Sequence, residues 1–285
     1  MRTQFTLAEF KALVKKTLKN IYPPGEIENI IYLIFEKQLN IKKIDALLNH
    51  NYTVPQKKSD DLLSIVDELK TGKPIQYILG GTDFFDLTIK VDEQTLIPRQ
   101  ETEELVDWII KNVRNKTKKI IDIGTGTGCI AIALAKFLPQ SNVEAIDFNG
   151  AIIQKASENA SLNHVDVRFF VLNILEEELS NYDYDIIVSN PPYVRTSEKK
   201  LMHENVLGFE PEEALFVKDD EPLIFYNRIT EVAGKHLQPK GEIYFEINEY
   251  FSREVMQLLE KNDFVDVTLK RDINNKPRMI KATKL

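Results

Sequence analysis

In the first quarter of the chain, apolar residues recur every three to four positions. From residue 119 onward they gather instead into short continuous runs separated by helical stretches. Thr6, followed three residues later by Glu9, reads as a capping box opening a helix through Leu7, Phe10, Leu13 and Val14. Pro23-Pro24-Gly25 breaks the chain, and a second helix then carries Ile27, Ile30, Ile31, Ile34 and Phe35 on one face. Further helical stretches span 41–48 and 59–70, which makes residues 1–75 a small helical bundle whose apolar stripes form its own core. The turn-rich segment from Gly72 to Gly81 is a junction, and Thr82 to Val91 reads as a strand or hairpin. Residues 76–95 are therefore expected to be a linker with a β-hairpin. Leu96 to Glu103 leads into a helix running to about Lys116, with Thr102 or Gln100 as its cap.

Strands then alternate with helices. The strands are expected at 119–123, 142–147, 166–171, 184–189 and 241–247, and the helices at about 128–138, 149–162 and 221–237. Such alternation predicts a parallel sheet with helices on both faces, a Rossmann-like α/β domain over 96–285. Two β runs at 264–269 and 278–282, joined by the turn-rich 272–277, predict a terminal hairpin that adds an antiparallel strand. No internal repeat or low-complexity segment appears.

Composition narrows the classes. A hydrophobic fraction of 43% supports a sizeable core, and a single cysteine, Cys129, excludes an internal disulfide framework. The four histidines, His50, His164, His203 and His236, show no ligand spacing, so no metal site is expected. No run approaches the ~18 apolar residues of a membrane span, and the first ten residues lack the apolar stretch of a signal peptide. The expectation is a soluble, cytoplasmic protein. Charge is uneven: residues 1–80 hold 12 Lys/Arg against 9 Asp/Glu, and the remainder 25 against 35. The acidic larger part argues against unaided binding along a nucleic-acid backbone. The mildly basic first part either faces a partner or is an ordinary solvated surface.

Three strand ends carry chemistry. After the apolar run ending at Val188 come Ser189, Asn190, Pro191, Pro192 and Tyr193. The prolines hold the backbone extended and aim the Asn190 carboxamide, and Pro191 keeps a carbonyl acceptor. Two fixed acceptors beside a flat ring suit a planar –NH2 group. Upstream, the strand ending at Asp122-Ile123 turns through Gly124, Thr125, Gly126, Thr127 and Gly128 into a helix, a turn that brings a ligand close to the backbone. The spacing D-x-G-x-G-x-G departs from the dinucleotide fingerprint. The next strand ends in Asp147, placed either to accept hydrogen bonds from ribose hydroxyls or to cap the helix near Gly150. Together, in this order, the three resemble an S-adenosylmethionine-dependent class I methyltransferase. Cys129, inside an apolar helix, reads as core.

The resemblance sharpens with Gly72-Lys73-Pro74-Ile75-Gln76-Tyr77, Pro98-Arg99-Gln100-Glu101-Thr102-Glu103 and Gly208-Phe209-Glu210-Pro211. With the glycine turn and Asn190-Pro191-Pro192-Tyr193, these resemble the glutamine-N5 methyltransferases that modify class 1 peptide chain release factors. Asn-Pro-Pro-Tyr alone is shared with amino methyltransferases of nucleic acids, including the adenine-N6 type, and that is the alternative reading. The family implies a protein substrate, the glutamine of a Gly-Gly-Gln motif, with S-adenosyl-L-methionine consumed and S-adenosyl-L-homocysteine released. A monomer with no direct nucleic-acid contact is the expectation. The family further implies that Gly124 to Gly128 pack against the methionine part of the cofactor and that Asp147 binds the ribose. Asn173 and Ile174 would flank the adenine. Asn190 and the Pro191 carbonyl would hold the glutamine –NH2 beside the cofactor, next to Pro192, and Tyr193 would cover it. Two positions depart from the family pattern: Gln100 stands where a second proline is usual, and Asn173 where an aspartate is usual. Arg99, Glu101 and Glu103 read equally as helix-end charges or as a lid, and Phe209 and Glu210 as residues that order their loop.

Overall fold

The computed structural model describes residues 4–113, 116–180 and 183–285. The chain divides into two units, one of residues up to Gly80 together with His203–Phe209, the other of Gly81–Met202 and Glu210–Leu285.

The first unit is helical: α1 Leu7–Leu18, α2 Pro24–Leu39, α3 Lys43–Leu48, α4 Gln56–Leu69 and α5 Ile75–Leu79. Thr6 opens α1 as a capping box. Its hydroxyl accepts from the Glu9 N–H at 3.2 Å, and the Glu9 carboxylate accepts from the Thr6 N–H at 2.9 Å. Ile27, Ile30, Ile31, Ile34 and Phe35 all lie on the buried side of α2, where they meet Phe10, Val14 and Leu18 of α1 and Leu62 and Leu69 of α4. The helix expected at 59–70 begins three residues earlier, because Pro55 supplies the fixed φ of a helix entry. Ile75 packs into this same core, so α5 belongs to the first unit. The expected linker at 76–95 is thus divided between the two units. A later short helix, α9 Glu204–Phe209, also falls in the first.

The second unit opens on a hairpin, β1 Thr82–Phe84 with β2 Leu87–Ile89, turned by Phe85 and Asp86, both left-handed. Helix α6 spans Gln100–Val113. The two expected caps are corrected: Gln100 already lies within the helix, and Thr102 turns its hydroxyl inward to Glu246. The carbonyl of Arg99 takes the first amides instead. Residues 114 and 115 of the expected helix lie outside the described residues, and Lys116 is not helical.

Seven strands form one sheet: β3 Lys119–Ile123, β4 Asn142–Asp147, β5 Arg168–Val171, β6 Tyr184–Ser189, β9 Leu237–Glu246, β10 Phe264–Arg271 and β11 Pro277–Lys284. Their order is β10-β11-β9-β6-β3-β4-β5. All neighbours from β5 to β9 pair in parallel, and β11 runs against both of its neighbours. Between them the chain runs through α7 Cys129–Phe137, α8 Gly150–Leu162, α10 Glu212–Leu215, α11 Ile224–His236 and α12 Ser252–Lys261, and a two-residue pair joins β7 Val194–Arg195 to β8 Phe216–Val217. β9 starts four residues before the expected Gly241. Its register slips between Tyr184 and Ile186, where Lys240 turns left-handed, so the first residues pair before an irregularity and the rest after it. α11 starts after Pro222 rather than at 221.

The direction of chain travel reverses between β3 and β6. From β3 the chain moves outward through β4 and β5, and from β6 it moves the other way. At such a switch point the connections leave on opposite faces, and a crevice opens beyond the carboxyl ends of the strands. The glycine turn follows β3 and Asn190 follows β6, so both lie at its mouth.

Candidate active site

A cleft at this point is lined by Gly124, Thr125, Gly126 and Thr127 after β3, Asp147 at the end of β4, Asn173 and Ile174 after β5, and Asn190, Pro191 and Pro192 after β6. Two expected residues are not in its wall. Gly128 caps α7 with φ +82°, and an added Cβ would lie 3.0 Å from the Ile132 side chain and 3.1 Å from that of Ala156. Its role is close packing of the turn on the helices. Gly128→Ala is expected to destabilise the fold by about 2–3 kcal/mol, from the left-handed φ and the crowding together. Equilibrium urea unfolding measures this, and an unchanged midpoint would refute it. Tyr193 packs its half-buried ring on the core of the sheet.

Gly124 and Gly126 differ from Gly128. Both are left-handed, at φ +73° and +54°, and nothing lies within 4 Å of where a Cβ would stand. Their α-carbons present bare backbone to a ligand. The turn is tied down from behind. The N–H groups of Gly124 and Thr125 donate to the Ile146 carbonyl at 3.0 and 2.9 Å, and the Gly126 N–H donates to Asp147 at 2.9 Å. Asn159, wholly buried on α8, donates to the Thr127 carbonyl at 2.9 Å while pairing with both the N–H and the carbonyl of Lys90.

Asn149, not Asp147, caps α8, accepting from the Ala151 N–H at 2.9 Å. The Asp147 carboxylate lines the cleft with its second oxygen accepting from the Asn149 N–H at 3.5 Å, and burial pushes its carboxyl up from the ordinary range. Asp122 behind the turn accepts from the Thr125 hydroxyl at 2.6 Å, and complete burial raises its carboxyl to about 7. Burial likewise pushes the Cys129 thiol up to about 12, which keeps it protonated. Asn173 accepts from the Leu175 N–H at 3.2 Å, a turn that aspartate would make equally well, so the departure from the family pattern preserves the local backbone.

Around Asn190 a polar network appears that sequence reasoning missed. The Asn190 amide donates to the Thr102 hydroxyl at 3.2 Å, and Thr102 donates to Glu246 at 2.6 Å. The Tyr193 hydroxyl donates to the other oxygen of Glu246 at 3.0 Å. Asn248 donates to the Tyr193 carbonyl at 3.0 Å. Glu246 is 1% exposed, and burial holds its carboxyl above the usual range. It ends the apolar run Ile243-Tyr244-Phe245, the same signal, an acid closing a buried strand, that singled out Asp147. Arg99 and Glu210 form an ion pair at 2.6 Å, and Glu210 also accepts from the Ile97 N–H at 3.2 Å. Glu210 thus orders the segment before α6, and Glu103 accepts from the Phe85 N–H at 2.8 Å in the hairpin turn. Phe148, half exposed beside Asp147, lines the cleft and was also missed.

The groups in the cleft suit a nucleoside-bearing ligand: bare backbone, a carboxylate for vicinal hydroxyls, and apolar walls from Ile174 and Phe148. No cluster of His, Cys, Asp and Glu suited to a metal ion occurs among the described residues. No helix among them is long and apolar enough to cross a membrane.

Comparison with known proteins gives the family and the fold. A family model described as "Methyltransferase small domain" matches residues 100–208, and one described as "PrmC N-terminal domain" matches residues 9–80. A release factor glutamine methyltransferase of Flavobacterium psychrophilum is 49% identical over 285 residues, covering 99% of this chain and 97% of its own. The protein of the same name from Bacteroides thetaiotaomicron is 38% identical, covering 96% and 98%. In fold, the chain resembles a solved methyltransferase of Pyrococcus furiosus with a TM-score of 0.52 at 18% identity, covering 81% of this chain and 99% of that one. The sheet with its single reversed strand is that of a class I methyltransferase. On nearly full-length identity of 49%, the chain belongs to the release factor glutamine methyltransferase family.

Proposed function

We propose that this chain transfers a methyl group from S-adenosyl-L-methionine to the side-chain amide nitrogen of the glutamine in the Gly-Gly-Gln motif of class 1 peptide chain release factors. It acts as a cytoplasmic monomer with no direct contact to nucleic acid. The observation that carries the reading is the meeting of Asn190, Pro191, Asp147 and the bare glycine turn in one cleft at the sheet's switch point. Gly124 and Gly126 let the methionine part of the cofactor approach. Asp147 takes the ribose hydroxyls, and Asn173 and Ile174 flank the adenine.

When bound, the sulfonium supplies an already activated methyl group. What is left to the chain is position and charge. An amide nitrogen is a poor nucleophile because its lone pair is delocalised. The Asn190 oxygen and the Pro191 carbonyl accept its two N–H bonds, and Tyr193, anchored at its hydroxyl, flanks the loop that holds it. The two acceptors hold the nitrogen towards the methyl and stabilise the positive charge that grows on it. Orientation of this kind is worth up to about 7–11 kcal/mol, and fixed dipoles add to it. The nitrogen becomes acidic as it is methylated and yields its proton to water, which removes the need for a histidine or lysine base.

Methyl transfer from labelled cofactor tests the reading. A purified release factor should take up label, a variant with the motif glutamine changed to alanine should not, and DNA and RNA in parallel should remain unlabelled. Label on nucleic acid alone would replace this reading with an amino methyltransferase of bases.

A further inference from the structure

We propose that Glu246, acting through Thr102, is a positioning residue that decides which end of the Asn190 amide faces the substrate. The proposal rests on the reading of Asn190 as the acceptor for the substrate amide. The two ends of an asparagine carboxamide have nearly the same shape, so only hydrogen bonds choose between them. An NH2 end turned to the substrate would meet the glutamine –NH2 donor to donor. Only the oxygen end can hold it.

The network makes that choice. Burial raises the Glu246 carboxyl, so the choice is made at pH above its pKa, where the ionised carboxylate accepts and cannot donate. Glu246 takes the Thr102 hydrogen on one oxygen and the Tyr193 hydrogen on the other. With its hydrogen committed, the Thr102 oxygen can only accept. The partner it accepts from is the Asn190 NH2, at 3.2 Å. The Asn190 oxygen is thereby directed away from Thr102, and Asn190 is a wall of the cleft. One carboxylate sets the polarity of the whole chain of bonds and anchors Tyr193 from the same loop. The backbone under Glu246 is held separately, its carbonyl accepting from the Tyr226 hydroxyl at 3.1 Å and its strand pairing with Met279 of β11. A change confined to the carboxylate therefore leaves the strand in place. The linkage also places Thr102 of the Pro-Arg-Gln-Glu-Thr-Glu stretch in one chain of bonds with Asn190.

The test compares E246Q, T102V and T102S with wild type for methyl transfer to the release factor, at saturating cofactor, alongside calorimetric cofactor binding and thermal melting. Glutamine keeps the shape of Glu246 and its capacity to bond, but it can donate to Thr102 and release the Thr102 hydrogen to the Asn190 oxygen. The proposal expects kcat of E246Q to fall about 10- to 100-fold, with the cofactor Kd within about threefold of wild type, as for an interaction that serves the reacting geometry and not ground-state binding. T102V should lose a similar factor and T102S should restore most of it. A packing role alone would leave the isosteric E246Q at wild-type kcat, and that result overturns the proposal. If E246Q melts early or loses the cofactor, the Thr102 pair decides, and a T102V enzyme with wild-type kcat overturns it. A wild-type enzyme that leaves the release factor unlabelled is a different failure: the substrate reading falls there, before any variant is compared, and this proposal falls with it.

Discussion

Asn190→Ala is expected to lower kcat for the release factor by about 10²- to 10³-fold, the cost of removing one preorganised dipole from a developing charge, while the cofactor Kd changes by no more than about threefold. The side chain lines the cleft and is tethered at its NH2 end to Thr102. Alanine removes the acceptor for one substrate N–H and leaves the Pro191 carbonyl alone on the other. A single acceptor lets the amide nitrogen swing, and misplacement by about 1 Å at the reacting atom costs on the order of 10²-fold. The glycine turn and Asp147 stand on β3 and β4, one and two strands from β6, so cofactor contacts survive the change. Single-turnover methyl transfer and calorimetry on the same preparation separate the two effects. Equal losses in kcat and in cofactor affinity would show that Asn190 belongs to the cofactor site and not to the substrate site.

Much of this architecture was legible in the chain because buried parallel strands are short apolar runs and each functional residue closes one of them. Ile120-Ile121 leads to the glycine turn, Val143 to Ile146 leads to Asp147, and Ile186 to Val188 leads to Asn190. The spacing of Ile27 to Phe35 likewise placed the face of α2. What escaped reading depended on distance along the chain. Glu246 meets Thr102 across 144 residues and Tyr193 across 53, and Asn190 meets Thr102 across 88. No local pattern reports such pairings, so Thr102 passed for a helix cap when its partner lay at the end of β9. Asn159 was hidden for a related reason. A polar residue on a helix face reads as exposed, yet this one is buried to bond the backbone of the hairpin and the glycine turn together. The start of β9 was misplaced because the irregularity near Lys240 splits the strand, and only its apolar half looks like one.

Asp147→Ala is expected to weaken cofactor binding by roughly 100-fold, about 3 kcal/mol, the scale of losing two hydrogen bonds to a charged acceptor. Rate at saturating cofactor should stay within a few-fold of wild type, the reverse of the Asn190 pattern. Part of the loss is indirect, since the Gly126 N–H would surrender its acceptor at 2.9 Å and the turn would loosen. Asp147→Asn separates the contributions: its oxygen can still accept from Gly126, but its NH2 end meets ribose hydroxyls without the charge. An intermediate Kd is the expected result. The pH dependence has two opposite slopes. Burial raises this carboxyl in the folded protein, so the native state holds the proton more tightly than the unfolded chain does. Without ligand, the contribution of Asp147 to folding therefore grows as pH falls from its folded pKa towards its unfolded value and is lost as pH rises through the folded one. The ribose hydroxyls donate only to the ionised form at full strength, so cofactor affinity falls over the same descent in pH. Calorimetry in buffers of different ionisation enthalpy, at pH between the unfolded and folded values of this carboxyl, would detect the proton released on binding. Wild type should release it and Asp147→Asn should not. A Kd unmoved by either substitution would remove Asp147 from the ribose site and leave it as the anchor of the Gly126 and Asn149 amides.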